Sequence, residues 1–439
     1  MPLSLDIPGM SRRIARGRVF RNAGKLHSVR GLLRASLTAS VGETCQIELP
    51  GGEHIPGEVV GFDESESQVM CYDGIAGLQP GLIVTGLGQR RMVPVGEELR
   101  GRVLDGIGRP SDDSGPLRTR RWREESSRAP EAMQRQRITQ PLVTGQRAID
   151  ALLTVGRGQR IGLFAGSGVG KSTLLGEIAK GADADINVIA LVGERGREVR
   201  PFIEDCLSEQ GRRRSVVVVA TSDRTPLMRI KAVLTAVTIA EEFRDRGAHV
   251  LFFLDSLTRL AMAQRELGLL LGEPPGSRGY PPSVQSLMAA VLERLGCGAT
   301  GAITGIITVL VEGDDLDEPI TDAARSILDG HIVLDRKLAA QGQFPAIDVL
   351  NSVSRTFREI TNEQQRMDAV RLRTALTTFA EVADLIQMGA YKPGTSPQID
   401  RAQKLVPEIR RFLKQEVNEN STMKETLSQL RNLGAQWPW

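Results

Sequence analysis

The nine residues AGSGVGKST (165–173) constrain this chain more than any other feature. They lie between the apolar run IGLFA (161–165) and a segment of helical character beginning near Lys171, the strand–loop–helix order in which glycine-rich turns hold phosphate. Gly166, Gly168 and Gly170 keep the loop sterically open, while Ala165 stands at the first position, where the usual pattern has Gly. Backbone N–H groups of residues 168–173 can then ring a polyphosphate at the positive end of the helix. Lys171 can reach its β- and γ-phosphates, and the Ser172 hydroxyl can coordinate Mg²⁺. Gly166, Ser167, Gly168, Val169, Gly170, Lys171, Ser172 and Thr173 are therefore the candidate nucleotide-binding residues. A plain turn between strand and helix is the alternative, and Gly-Lys-Ser at the right offset speaks against it.

A phosphate cradle does not by itself separate binding from hydrolysis, so carboxylates at the ends of neighbouring strands matter. Ligands of open parallel sheets sit beyond the carboxyl ends of the strands. Glu194 follows INVIALVG and Asp255 follows VLFFL. Asp255 suits a residue that holds the water of a bound Mg²⁺, and Glu194, in GERGREV (193–199), is placed to polarise an attacking water. The competing readings are a helix N-cap for Asp255, ahead of SLTRLAMAQRE, and an ion pair with Arg195 or Arg197 for Glu194.

Composition bounds the rest. At 439 residues, 41% apolar and 25% charged, the chain is too long for one small core and too apolar for disorder. No run of about 18 apolar residues is present to cross a bilayer. Residues 1–16 lack a secretory h-region, and Cys45, Cys71, Cys206 and Cys297 include no close pair, so a disulfide scaffold and a zinc site drop out and a reducing cytoplasm is expected. Arg supplies most of the positive charge, in clusters such as Arg118–Arg123 and Arg212–Arg214, yet the formal net charge is only +3. A solvated Arg-rich surface is the simpler reading, a polyanion or acidic-lipid contact the other.

Residues 17–95 carry short β-rich runs, CQIEL, GEVVGF, SQVMCY and LIVTGL, broken by turn residues, which predicts a small antiparallel barrel after a short extension, 1–16. Residues 96–139 read as a linker. Over 140–361, apolar strands alternate with longer helical segments, as in a parallel sheet covered on both faces. Candidate strands are 161–165, 186–192, 215–221, 250–255 and 302–310. From 362 to 439 apolar residues recur at three- and four-residue spacing, predicting a helical bundle, with Trp437 and Trp439 at an end expected to fray rather than anchor.

On these residues the chain resembles the flagellar and type III secretion ATPases, relatives of the catalytic subunit of rotary ATP synthases. The likeness runs from about Gly17 to Gln415 and rests on GRVLDGIGRP, FAGSGVGKST, LVGERGREV, LFFLDSLTRLAMAQRE, SRGYPPSV, TVLVEGDDLDEPITDAARSILDGHIVL, FPAID, SVSR and GAYKPGTSPQID. It implies a β-barrel, a RecA-like P-loop ATPase domain and C-terminal helices, hydrolysing ATP with Mg²⁺ in a homohexamer with nucleotide at the subunit interfaces. SVSR matches the family's trans-acting arginine, here Arg355, whose planar charged fork suits charge spreading over the transferred phosphoryl oxygens. Arg195 is implied to touch the same phosphates. FPAID matches the adenine platform, with Phe344 where the family usually has Tyr, and an aromatic face suffices for stacking. SRGYPPSV implies a loop facing the ring's pore, with Tyr280 the contact residue.

Implied partners are export-gate membrane proteins, a coiled-coil stalk protein, a negative regulator and substrate–chaperone complexes. The setting implied is the cytoplasm, with peripheral contact at the inner face of the inner membrane. Only about 16 residues precede the barrel, without a long amphipathic repeat, which weakens regulator docking at that segment. Export of flagellar proteins is the favoured reading, because GAYKPGTSP resembles the flagellar branch, and an injectisome ATPase is the alternative. A rotary synthase subunit is disfavoured by the missing acidic DELSEED-type segment. A hexameric nucleic-acid motor is disfavoured because residues 17–94 hold only Phe20, Phe62 and Tyr72 as aromatics, so no nucleic acid is expected.

Overall fold

Alternating burial along short strands closes the first unit. A computed structural model describes residues 22–63, 65–125, 128–166, 168–311 and 318–437; the extension 1–16, Phe20, the VEGDD carboxylates and Trp439 lie outside the described residues. Six strands, Ala23–Arg30, Leu32–Ala35, Glu43–Glu48, His54–Asp63, Glu66–Cys71 and Ile83–Arg90, form an antiparallel barrel in the order first, second, fifth, fourth, third, sixth. Leu26, Leu33, Ala35, Cys45, Ile47, Val59, Val69, Cys71 and Val84 fill it. Four of the strands grow from the four β-rich runs. The first two escape the sequence pattern because Ala23–Arg30 buries only Leu26, leaving no alternation to read.

The second compact unit holds Val93–Gly268 and the chain from Pro274 onward, and the short segment Leu269–Glu273 belongs with the barrel unit. Its nine-stranded sheet runs Ile347–Ser354, Gly330–Leu334, Arg160–Ala165, Ala302–Leu310, His249–Asp255, Ile186–Val192, Ser215–Ala220, Val103–Asp105, with Gly296–Cys297 pairing off this path. All five expected strands are present. The central ones are buried at every position, as expected when helices cover both faces. The sheet is parallel, as expected, except for the Ile347–Ser354 edge and the two-residue Gly296–Cys297 strand, which pair antiparallel. Residues 96–139 supply an edge strand, Val103–Asp105, and a strand Arg121–Glu124 that pairs with Met92–Val95.

Three helices follow, Glu363–Gln387, Pro397–Leu413 and Met423–Ala435, each begun by a side-chain cap from Asn362, Ser396 or Thr422. Their apolar faces share one core with the sheet: Leu372, Ala375, Leu405, Ile409 and Leu430 pack in the same cluster as Leu142, Ile149 and Leu163. Trp437 joins this cluster at 5% exposure, with the Arg401 guanidinium 6.0 Å from its ring. The expected fraying is thus corrected at Trp437, because a large ring gains more from burial than the last turn loses in freedom.

Asp150, on the helix Arg147–Leu152, is a buried carboxylate that accepts hydrogen bonds from Thr144 N–H (2.9 Å), Thr144 Oγ1 (2.7 Å) and Gly145 N–H (3.0 Å). Burial pushes its carboxyl up to about 6 from 3.8, against those donors. The folded state therefore holds this proton more tightly than the unfolded chain. The stability gained is full below the unfolded value and lost as pH rises through about 6, a swing of roughly 3 kcal/mol. Asp150→Asn cannot ionise, and its denaturant midpoint is expected to fall less steeply between about pH 4 and pH 7 than that of the parent. Identical slopes would remove Asp150 from this role.

Candidate active site at the carboxyl edge of the sheet

The strand Arg160–Ala165 is flanked by Ala302–Leu310 and Gly330–Leu334, and its register sets Ala165 beside Leu310. Two strands away, Leu191 lies beside Asp255. The parallel register therefore brings the phosphate loop and the two strand-end carboxylates to one edge. Gly168 and Gly170 adopt φ of +80° and +88°, which a side chain would oppose, and Gly170 is the N-cap of the helix Lys171–Gly181. Val169 is buried beneath the loop, while Ser172 and Thr173 are exposed on the first helical turn. Ser167 lies outside the described residues.

Lys171 Nζ sits 2.6 Å from Asp255 Oδ1 and 3.6 Å from Glu194 Oε1. Asp255 Oδ1 also accepts from the Thr308 hydroxyl at 2.7 Å. Burial works against the charge of Lys171, but Asp255 and Glu194 outweigh it and its pKa is raised, so the ammonium persists. Glu194 is pushed up by burial, pulled down by Lys171 and raised further by Asp255 and Glu198, for a net rise. This leaves an acceptor poised closer to neutrality than an ordinary glutamate. Asp255 Oδ1 takes the Lys171 ammonium, while the Ser256 hydroxyl accepts from the Arg259 N–H at 3.3 Å, and the Arg195 guanidinium pairs with Glu198 at 3.2 Å.

Phe344 stands at the other side of the loop. A Cβ on Gly170 would lie 3.6 Å from two of its ring carbons, and the ring is 43% exposed. With Pro345, Thr173 and Val417 it borders a cleft that continues from the loop. Gln415 N–H donates to the Phe344 carbonyl at 2.8 Å, which fixes the platform to the chain after the second C-terminal helix.

Two arginines stand apart from this cluster. Arg195 is exposed, with its guanidinium on Glu198. Arg355 is exposed just past the sheet's edge strand, where its guanidinium donates to the Arg325 carbonyl (3.1 Å) and its N–H to the Asp329 carbonyl (3.0 Å). Tyr280 follows a turn over Ser277–Gly279 and packs 5.2 Å from the Arg265 guanidinium.

Two site residues were not singled out from sequence. Thr308 orients Asp255, and its only signal was a polar residue inside AITGIITVL. Arg259 comes close enough to Gly193 that a Cβ there would meet its side chain at 2.8 Å, and its charge bears on Glu194. Its Nε is buried without a hydrogen-bond partner among the described residues, and its Nη1 donates to Met262 Sδ at 3.7 Å.

A lysine neutralising two strand-end carboxylates, beside a glycine-rich helix start on a parallel sheet, defines the phosphate-loop nucleotide hydrolases. The nucleotide-binding domain of the ATP synthase alpha/beta family matches residues 145–354, and the T3SS EscN ATPase C-terminal domain matches residues 361–432. The chain is 50% identical over 424 residues to the flagellum-specific ATP synthase of Bacillus subtilis (strain 168), covering 94% of this chain and 95% of that protein. It is likewise 50% identical over 379 residues to the SPI-2 type 3 secretion system ATPase of Salmonella typhimurium, covering 86% and 87%. The assembled ATPase EscN of the enteropathogenic E. coli type III secretion system superposes with a TM-score of 0.89 at 42% identity, over 94% of this chain and 100% of that one. EscN has also been solved in complex with its central stalk EscO. The protein belongs to the family of flagellar and type III secretion ATPases, and it is an ATPase.

Proposed function

We propose that this ATPase energises protein export by a bacterial flagellum, hydrolysing MgATP at the boundary between neighbouring protomers of a homohexamer. The observation that carries the chemistry is the Lys171, Glu194, Asp255 cluster at the helix start. The loop from Gly166 to Thr173 receives the triphosphate, and Lys171 exchanges its carboxylate partners for phosphate oxygens. Ser172 and Asp255 are hard oxygen donors at this helix start and fit Mg²⁺, which when bound neutralises phosphate charge. Glu194 orients a water and takes its proton as the water oxygen bonds to the γ-phosphorus. The bond from that phosphorus to the β-bridging oxygen breaks, leaving ADP and phosphate. Phe344 stacks on the adenine. Arg195, on the short helix Gly196–Pro201, swings from Glu198 toward the phosphates.

Arg355 serves the neighbour's site. Its exposed position past an edge strand supports this, since a guanidinium there is free to meet another protomer. By likeness to EscN with its stalk, a coiled-coil stalk protein occupies the pore, near Tyr280. Among the described residues no helix is long and apolar enough to cross a membrane, so contact with the export gate at the inner membrane would be peripheral.

The flagellar assignment rests on GAYKPGTSP (389–397), which forms the turn between the first two C-terminal helices and is tied by Tyr391 Oη to Asp400 at 2.9 Å. Injectisome relatives are equally similar, so the host bacterium decides. Deleting the gene is expected to abolish motility and flagellin secretion, with rescue by the native gene and none by Lys171→Ala. Normal filaments together with lost effector secretion would assign the protein to an injectisome instead.

A further inference from the structure

The cleft beside the phosphate loop has a polar side chain in its wall that the nucleotide chemistry above does not use. Gln146 lines it together with Gly170, Thr173, Phe344, Pro345 and Val417. The residue is 4% exposed and its backbone is fully engaged: its N–H donates to Thr144 Oγ1, and its carbonyl accepts from the N–H groups of Ile149 and Asp150. Its side-chain amide has no hydrogen-bond partner among the described residues. Other buried polar groups of the cleft are committed. Glu177 takes Lys180 Nζ on Oε1 at 2.6 Å and Asn418 N–H on Oε2 at 2.8 Å. Gln415 accepts from Arg147 N–H at 2.8 Å and donates to the carbonyls of Gly145 and Glu419 at 2.7 Å each. Glu416 is 80% exposed at the rim.

The Gln146 amide, on the wall of this cleft, presents two donors and one acceptor to a complementary edge. The adenine edge bearing the 6-amino group and N7 offers one donor and one acceptor, which a glutamine amide can meet with two bonds. The same edge of guanine offers two acceptors. We propose that Gln146 is a specificity-determining residue whose side-chain amide hydrogen-bonds the amino/N7 edge of the adenine stacked on Phe344, so that the site selects adenine over guanine nucleotides. The proposal rests on reading this cleft as the base pocket.

The test compares KM for ATP, GTP, 7-deaza-ATP and purine riboside triphosphate, which lacks the 6-amino group, in the full-length protein and in Gln146→Leu, Gln146→Glu and Phe344→Ala. In the native protein each deleted base group is expected to raise KM ~10-fold, the scale of one hydrogen bond at a partly buried site. Gln146→Leu loses both bonds, so it is expected to raise KM for ATP up to ~100-fold and to treat the two analogues like ATP. Gln146→Glu keeps an acceptor for the amino group and loses the donor to N7, so it should still discriminate against purine riboside triphosphate but not against 7-deaza-ATP. Phe344→Ala should raise KM roughly 10-fold for all four nucleotides. Native protein indifferent to both analogues, or a Gln146→Leu variant with unchanged base preference, overturns the role of Gln146. Phe344→Ala with unchanged KM overturns the base-pocket reading itself.

Discussion

Glu194→Gln is expected to bind ATP and to turn it over at least ~100-fold more slowly, the scale of lost general-base help. The amide keeps the volume of the carboxylate 3.6 Å from Lys171, so the pocket stays filled, but it cannot accept the water's proton. The pH profile gives a second reading. Burial raises Glu194 beyond what Lys171 lowers it, and a protonated Glu194 is no base, so kcat/KM is expected to fall as pH drops through a value above the ordinary glutamate range. That acid limb should be missing from the residual rate of Glu194→Gln. Phosphate release followed across pH in both proteins measures it, and native turnover by the variant would take Glu194 out of the mechanism.

Arg355→Ala is expected to lower turnover by ~10³–10⁵-fold while leaving each protomer folded, since a trans-acting arginine supplies roughly 4–7 kcal/mol to phosphoryl transfer. Within its own chain the guanidinium meets only the Arg325 carbonyl among the described contacts, so little native structure depends on it. The decisive version mixes protomers. Arg355→Ala subunits keep an intact Lys171, and Lys171→Ala subunits keep an intact Arg355, so mixed rings should contain some complete sites and recover part of the activity. Confirmed mixed assemblies with no recovery would show that Arg355 does not act across a boundary.

Much of this site was legible because its signals are local. A phosphate loop must follow a strand and open a helix within a few residues, and Glu194 and Asp255 each announce themselves at the end of an unbroken apolar run. Phe344 was legible only through resemblance to a family, since nothing in its immediate neighbours marks an aromatic ring that lies against Gly170. Thr308, Arg259 and Gln146 gave no usable signal, being ordinary polar residues in a strand, a helix and a helix start. The same holds for the first two barrel strands and for the buried end of the chain at Trp437: one shows no alternation, and the other depends on a core assembled from distant segments.

The order of strands, loop and helix, and the chemical types gathered near the loop, were determined by the sequence alone, because hydrophobic periodicity and turn chemistry act over a handful of residues. Only the tertiary structure decided that Lys171, Asp255 and Glu194 form one charge cluster and that an unpaired glutamine faces the same cleft as Phe344. Those relations depend on parallel strands, adjacent in space though far apart in the chain, ending at a common edge, and strand register across a sheet is a property of the whole packed core.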